Sequence, residues 1–173
     1  RTIFFHKTWN EKFKYSRSMA RWLGRHVSNF DLVHIHAIFS HSTIAAGRCC
    51  INAGVPFIVR PLGSLDPWSL QQNGWIKSLL LKLGLMRILK GAAAIHYTTA
   101  LEKQAAESAL GLEGGRVVAN AVSLPALVQE RGSHEHFILY MGRLHRKKKL
   151  DLLIESFSRV MEEPAMQDVS LVI

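Results

Sequence analysis

The stretch Tyr140-Met141-Gly142-Arg143-Leu144-His145-Arg146-Lys147-Lys148-Lys149-Leu150 decides the reading of this chain. The apolar run that leads into it, Phe137 to Met141, has the compactness of a buried strand. It stops at Gly142, passes through a short cationic loop and enters a segment with Leu150, Leu153, Ile154, Phe157, Val160 and Met161 on one helical stripe. Strand, turn and helix in that order form the unit of an α/β sheet. The turn lies where helix N-terminal N–H groups favour an anion. Arg143 presents a planar, multi-donor fork to phosphate oxygens and Lys148 a point charge. Gly142 and Arg143 follow the strand directly and Lys148 comes near the first turn of the helix, so both heads can face one pocket. A phosphate or diphosphate is the simplest ligand for such a place. A solvated basic loop is the plainer alternative, and Arg146 and Lys147 read as surface charges.

The same alternation runs through the residues before it. Short strands are expected at Thr2 to Phe5, Asp31 to His36, Pro56 to Arg60, Ala92 to Tyr97 and Arg116 to Val118. Helices are expected at Ser16 to Ser28, Ser42 to Asn52 with Gly54 as its stop, Trp75 to Lys90, and Ala100 to Leu110 with Gly111 as its stop. Ser123 to Glu135, with Pro125, Gly132 and mixed polar residues, breaks the pattern. The chain therefore divides into a first α/β domain over 1–122, a linker over 123–135, and a second domain over 136–173 that ends after Val169 to Ile173. Repeated βαβ units favour a mostly parallel sheet with helices on both faces, and ligands outside the carboxyl ends of the strands. One βαβ unit cannot bury both faces of its strands, so the second domain reads as cut short.

Composition narrows the class. With 173 residues, 48% of them hydrophobic and 20% charged, the chain is globular in kind. Lys77, Lys82, Arg87 and Lys90 interrupt its most apolar region, so no segment reads as a membrane span. Arg1 to Phe5 is too short an apolar block for a secretory signal. Cys49 and Cys50 are adjacent and have no other partner, which points to a reducing compartment, the cytoplasm or the inner face of its membrane. A net charge of +9 is compatible with nucleic acid, an anionic membrane surface or a phosphorylated small molecule. Arg143 to Lys149 contains no Phe, Tyr or Trp, which argues against nucleic acid.

Three further groups sit at expected strand exits. His34 and His36 share one side of a strand, with His41 shortly after. No Asp, Glu or Cys nearby has ligand spacing, so a metal is not expected, and His36 reads as a substrate hydrogen-bonding group or as a packed strand-end histidine. Arg60-Pro61-Leu62-Gly63-Ser64-Leu65-Asp66-Pro67-Trp68 makes a tight turn that can bring backbone N–H groups to a ligand. Within it Arg60 suits a polar acceptor, and Asp66 suits the cap of a helix starting at Pro67. Asn120, in Val118-Ala119-Asn120-Ala121-Val122, is either a hinge pin or an ordinary turn residue. Trp75 to Lys90 reads as a core helix with snorkelling lysines more readily than as a membrane-surface helix.

Taken in order, Asp31 to His36, Arg60 to Trp68, Thr98-Thr99-Ala100-Leu101-Glu102, Asn120-Ala121-Val122, and Gly142-Arg143-Leu144 through Lys148 with Asp151-Leu152-Leu153 resemble glycosyltransferase family 4 of the GT-B glycosyltransferases. The resemblance implies two Rossmann-like domains facing each other across a cleft, the first holding the acceptor and the second a nucleotide-sugar donor. It implies a retaining transfer with no metal and no cofactor, the UDP- or GDP-linked sugar being a substrate. Gly142, Arg143 and Lys148 would hold the donor phosphates. His36, Arg60, Gly63 and Ser64 would line the acceptor side, and Asn120 would sit at the hinge. The acceptor would be a saccharide or a lipid-linked saccharide, and peripheral contact with a membrane fits that setting. The sequence departs from the family at Leu62, where histidine is frequent, at Ala119-Asn120-Ala121 in place of Pro-Asn-Gly, and at Lys149 in place of glycine. The family's glycine-rich first loop and its pair of glutamates are not in this sequence, so it reads as the middle of a longer enzyme, inactive by itself. The competing class is a non-catalytic basic α/β module that binds anionic lipid or nucleic acid.

Overall fold

A computed structural model describes residues 2–8, 13–123, 136–166 and 168–173. The expected linker falls almost wholly on 124–135 and so lies outside the described residues. The chain divides into two compact units, Arg1–Val122 and Ser123–Ile173.

In the first unit the strands are β1 (Val33–His36), β2 (Phe57–Arg60), β3 (Ala94–Tyr97) and β4 (Gly115–Val117). All pair in parallel, in the order β1-β2-β3-β4. Each crossover is helical: α2 (His41–Ala53) after β1, α6 (Ala100–Leu110) after β3, and between β2 and β3 the run α3 (Pro67–Gln71), α4 (Gly74–Leu80) and α5 (Met86–Gly91). The chain enters through α1 (Arg17–His26), whose cap Ser16 accepts the Met19 N–H at 3.3 Å. A strictly sequential strand order with right-handed crossovers returns every helix to the same face. That face carries Ile35, Phe57, Val59, Ile95 and Tyr97, all buried against Ile38, Leu85, Ile88 and Leu89. By alternation the other face carries His34, His36, Ile58, Arg60, Ala94, His96 and Arg116. The expectation of helices over both faces is thus corrected for the described residues; covering the second face requires a strand order that reverses.

Two other expectations change. Residues 2–8 form no strand, and Phe4 is 90% exposed. An apolar run becomes a strand only where a neighbour completes its ladder, and this one instead leans Phe5 on Trp22 at 5.7 Å. Trp75 to Lys90 is not one helix. Gly84, at φ 136°, breaks it inside Leu81–Leu85, between α4 and α5. Leu81, Leu85, Ile88 and Leu89 face the core, while Trp75, Ile76, Leu79 and Leu83 are exposed. Close packing on this side depends on Gly47 of α2, because a Cβ there would lie 2.5 Å from Ile88 Cγ2. Cys49 and Cys50 are free thiols, Cys50 fully buried.

The second unit pairs β5 (His136–Leu139) with β6 (Val169–Val172) in parallel through α7 (Leu150–Val160). β5 is exposed along its length.

Candidate active site

Parallel register brings the carboxyl ends of β1 to β4 to one edge of the first unit. His36 pairs with Arg60 across β1 and β2, and the Ala37 N–H donates to the Arg60 carbonyl at 3.0 Å. Val118 N–H continues the ladder onto the Tyr97 carbonyl at 2.9 Å. Here the backbone leaves its usual range: Ala37 (φ 65°), Leu62 (φ 57°) and Gly63 (φ 70°) are all left-handed. Such residues cluster where a fold fixes a functional loop. A Cβ on Gly63 would meet open space, so its backbone angle, not crowding, calls for glycine.

Five of the sequence-predicted residues gather at this edge: His36, Arg60, Gly63 with Ser64, and Asn120. Arg60 Nη2 donates to the Asn120 side-chain oxygen, tying the segment after β4 to the exit of β2. Arg60 Nε is buried with no hydrogen-bond partner among the described residues. A buried orphan donor at a strand exit is uncommon. The turn's own polar groups are used internally. Gly63 N–H donates to Glu102 Oε1 at 2.7 Å, and the Ser64 hydroxyl donates to the Pro61 carbonyl. The turn is therefore a stiff platform, and the groups it presents outward are side chains. Asp66 caps α3, accepting the Ser69 N–H at 2.8 Å.

Two residues take part that sequence reasoning did not single out. His96 of β3 places its ring 5.5 Å from that of His34, which lies 4.3 Å from that of His36. Its Nε2 carries the proton, since it faces the Val118 carbonyl at 2.9 Å. The signal was available, because His96 holds the same alternation phase on β3 as Arg60 does on β2. His41 does not join this group; it heads α2, where its Nδ1 accepts the Ser16 N–H at 3.3 Å. Burial, followed by the positive neighbours His36, His96 and Arg60, lowers the pKa of His34. No group of three or more His, Cys, Asp or Glu suited to a metal occurs among the described residues.

Glu102 is the second. Its Oε2 accepts the Thr98 N–H at 2.8 Å and the Thr98 hydroxyl at 2.7 Å, while Oε1 takes Gly63. One carboxylate thus joins the exits of β2 and β3. Burial pushes this carboxyl up, but the Thr98 and Gly63 hydrogen bonds and the Arg60 charge outweigh it and hold the pKa below the usual 4.5. Thr99 and Glu102 form the first half of a capping box, Thr99 Oγ1 accepting the Glu102 N–H at 3.0 Å. In an ordinary box the glutamate turns back to the cap; here it is diverted to the neighbouring loop.

In the second unit, Gly142, Arg143 and Lys148 all stand exposed between β5 and α7. Tyr140 reaches over to donate its hydroxyl to the Arg143 carbonyl at 3.2 Å. Lys148 closes a short turn, Arg146–Lys148, and Lys149, at φ 52°, opens α7 without a side-chain cap. A shallow pocket of about 310 Å³ beside it is lined by Leu144, His145, Arg146, Lys149, Leu150 and Asp151. Arg146 and Lys149 line this hollow; Arg143 and Lys148 do not.

A parallel sheet with helical crossovers defines a Rossmann-like sheet protein, and its carboxyl edge, with strained turns and convergent polar side chains, is the candidate site. The family model for the glycosyl transferase 4-like domain matches residues 5–122, which is nearly all of the first unit. The chain belongs to this glycosyltransferase family. No curated protein matches it.

Proposed function

We propose that the chain belongs to an enzyme that transfers a sugar from a nucleotide-diphosphate donor, UDP- or GDP-linked, to a saccharide or lipid-linked acceptor with retention of configuration. Its setting is polysaccharide or glycolipid assembly at the cytoplasmic side of a membrane. The observation that carries this reading is the family match over residues 5–122, on a unit whose strand exits present His36, Arg60 and Asn120 together.

Each half of the reaction draws on a different group. On the acceptor side, His36 and Arg60 orient a hydroxyl on the platform formed by Gly63 and Ser64, and Asn120 holds the Arg60 guanidinium in place. On the donor side, negative charge develops on the leaving diphosphate as its bond to the sugar breaks. Arg143 and Lys148, beside the uncapped start of α7, answer that charge, and fixed cations act most strongly where charge is greatest, in the transition state. No helix among the described residues is long and apolar enough to cross a membrane, so contact with the lipid phase is peripheral in this reading.

Calorimetric titration of the chain with uridine and guanosine diphosphates tests the donor half. One of the two should bind, and Arg143→Ala should weaken it by about 1.5–3 kcal/mol, the scale of a hydrogen bond to a charged group. Equal affinity in the variant, or no binding of either nucleotide, would refute the assignment.

A further inference from the structure

No aspartate or glutamate occurs between Asp66 and Glu102, whereas Lys77, Lys82, Arg87 and Lys90 do. In the middle of that interval, α4 turns an apolar stripe to the outside. Trp75 is 75% exposed, Leu83 63%, Leu79 47% and Ile76 40%. At about 100° per residue, Trp75, Ile76 and Leu79 of α4 fall within an arc of about 100°, and Leu83 follows in the widened turn Leu81–Leu85. Leu81 and Leu85, in the turn that follows, are buried in the core. A surface helix normally gives its outer arc to polar residues, so an apolar arc there calls for a partner.

The surroundings say which partner. Lys82, next to Leu83 in sequence, is exposed. At the far end, Leu83 and Gly84 border a hollow of about 130 Å³ whose other lining residues include Arg48, Asn52 and Arg87. Arg48 Nη2 sits 3.5 Å from the Leu83 carbonyl, which holds that guanidinium at the rim. An apolar strip with an aromatic end and a cationic border matches the interfacial layer of a bilayer, where tails meet phosphates. A second copy of the chain fits poorly. A two-fold contact would set Arg48, Lys82 and Arg87 against themselves with no acid in the patch to pair them.

We propose that the α4 face docks on an anionic phospholipid bilayer, with Trp75, Leu79 and Leu83 in the interfacial layer and Arg48, Lys82 and Arg87 on headgroup phosphates. The proposal rests on the peripheral contact included in the functional reading and gives it a surface. That surface is separate from the strand exits.

The test is co-sedimentation of the full chain with vesicles of phosphatidylcholine alone and of phosphatidylcholine with phosphatidylglycerol. The chain should pellet with the second kind only, and less at high salt. Trp75→Ser combined with Leu79→Ser should reduce the bound fraction by about tenfold or more, since both side chains leave the apolar layer. Arg48→Gln with Arg87→Gln, made without touching the stripe, should cut it several-fold. Unchanged circular dichroism would confirm that the variants fold. The proposal fails if the chain pellets with neither vesicle, if it pellets equally with both, or if the variants bind as well as the parent. It fails too if light scattering finds a dimer that the serine variant dissolves. Nucleotide titration of the same variants keeps the two readings apart: vesicle binding without nucleotide binding would remove the nucleotide-sugar donor assignment and leave this one.

Discussion

Glu102 has an influence out of proportion to its size. Three donors converge on its carboxylate from two loops, and each would be left wanting if it were removed. Glu102→Ala should cost about 1.5–3 kcal/mol in denaturant unfolding. The acid response gives a sharper readout. Because the folded-state pKa lies below 4.5, the carboxylate's contribution is complete above the ordinary carboxylate range and disappears as pH falls through the depressed value. The gap between parent and variant should therefore narrow on acidification; a gap independent of pH would show that the charge is not what matters. The candidate site was only partly legible at this scale. His36, Arg60 and Asn120 declared themselves by standing at strand exits. Glu102 was masked by its place in a helix-start motif, where the local role hides the long-range one. His96 could be placed on the same sheet face by alternation, but its nearness to His34 follows only from the strand order, which alternation does not give.

Among the elements, reading was easiest where a local signal and the tertiary environment agreed. α6 spans Ala100–Leu110 and ends before Gly111, the stop expected for it. β1 to β4 each lie within or one residue from the expected runs, because β-branched and apolar residues bounded by turns also happened to be the ones buried. Thr2 to Phe5 failed for want of a neighbour, and Trp75 to Lys90 was divided by one glycine whose backbone angle periodicity does not report. Packing between α2 and α5 was equally hidden. Gly47 lies in a helix, where alanine is favoured by about 1 kcal/mol on propensity. The Ile88 branch 2.5 Å from its missing Cβ reverses that preference. Gly47→Ala should lower stability by about 1–3 kcal/mol, the usual range for overpacking. Thermal denaturation of the variant at or above the parent's midpoint would show that the two helices can part without penalty.

For the molecule as a whole, the family match coincides with a unit that has its own core, from Val27 to Leu112. A chain comprising residues 1–122 alone should accordingly melt in a single cooperative transition. A broad, non-cooperative melt would mean that the second unit supplies necessary support. The strand order has a kinetic side as well. Each of β2, β3 and β4 hydrogen-bonds to the strand synthesised just before it, across a helical crossover. No pairing waits for a distant segment, so loop closure stays inexpensive and the sheet can lengthen by one strand at a time as the polypeptide emerges from the ribosome.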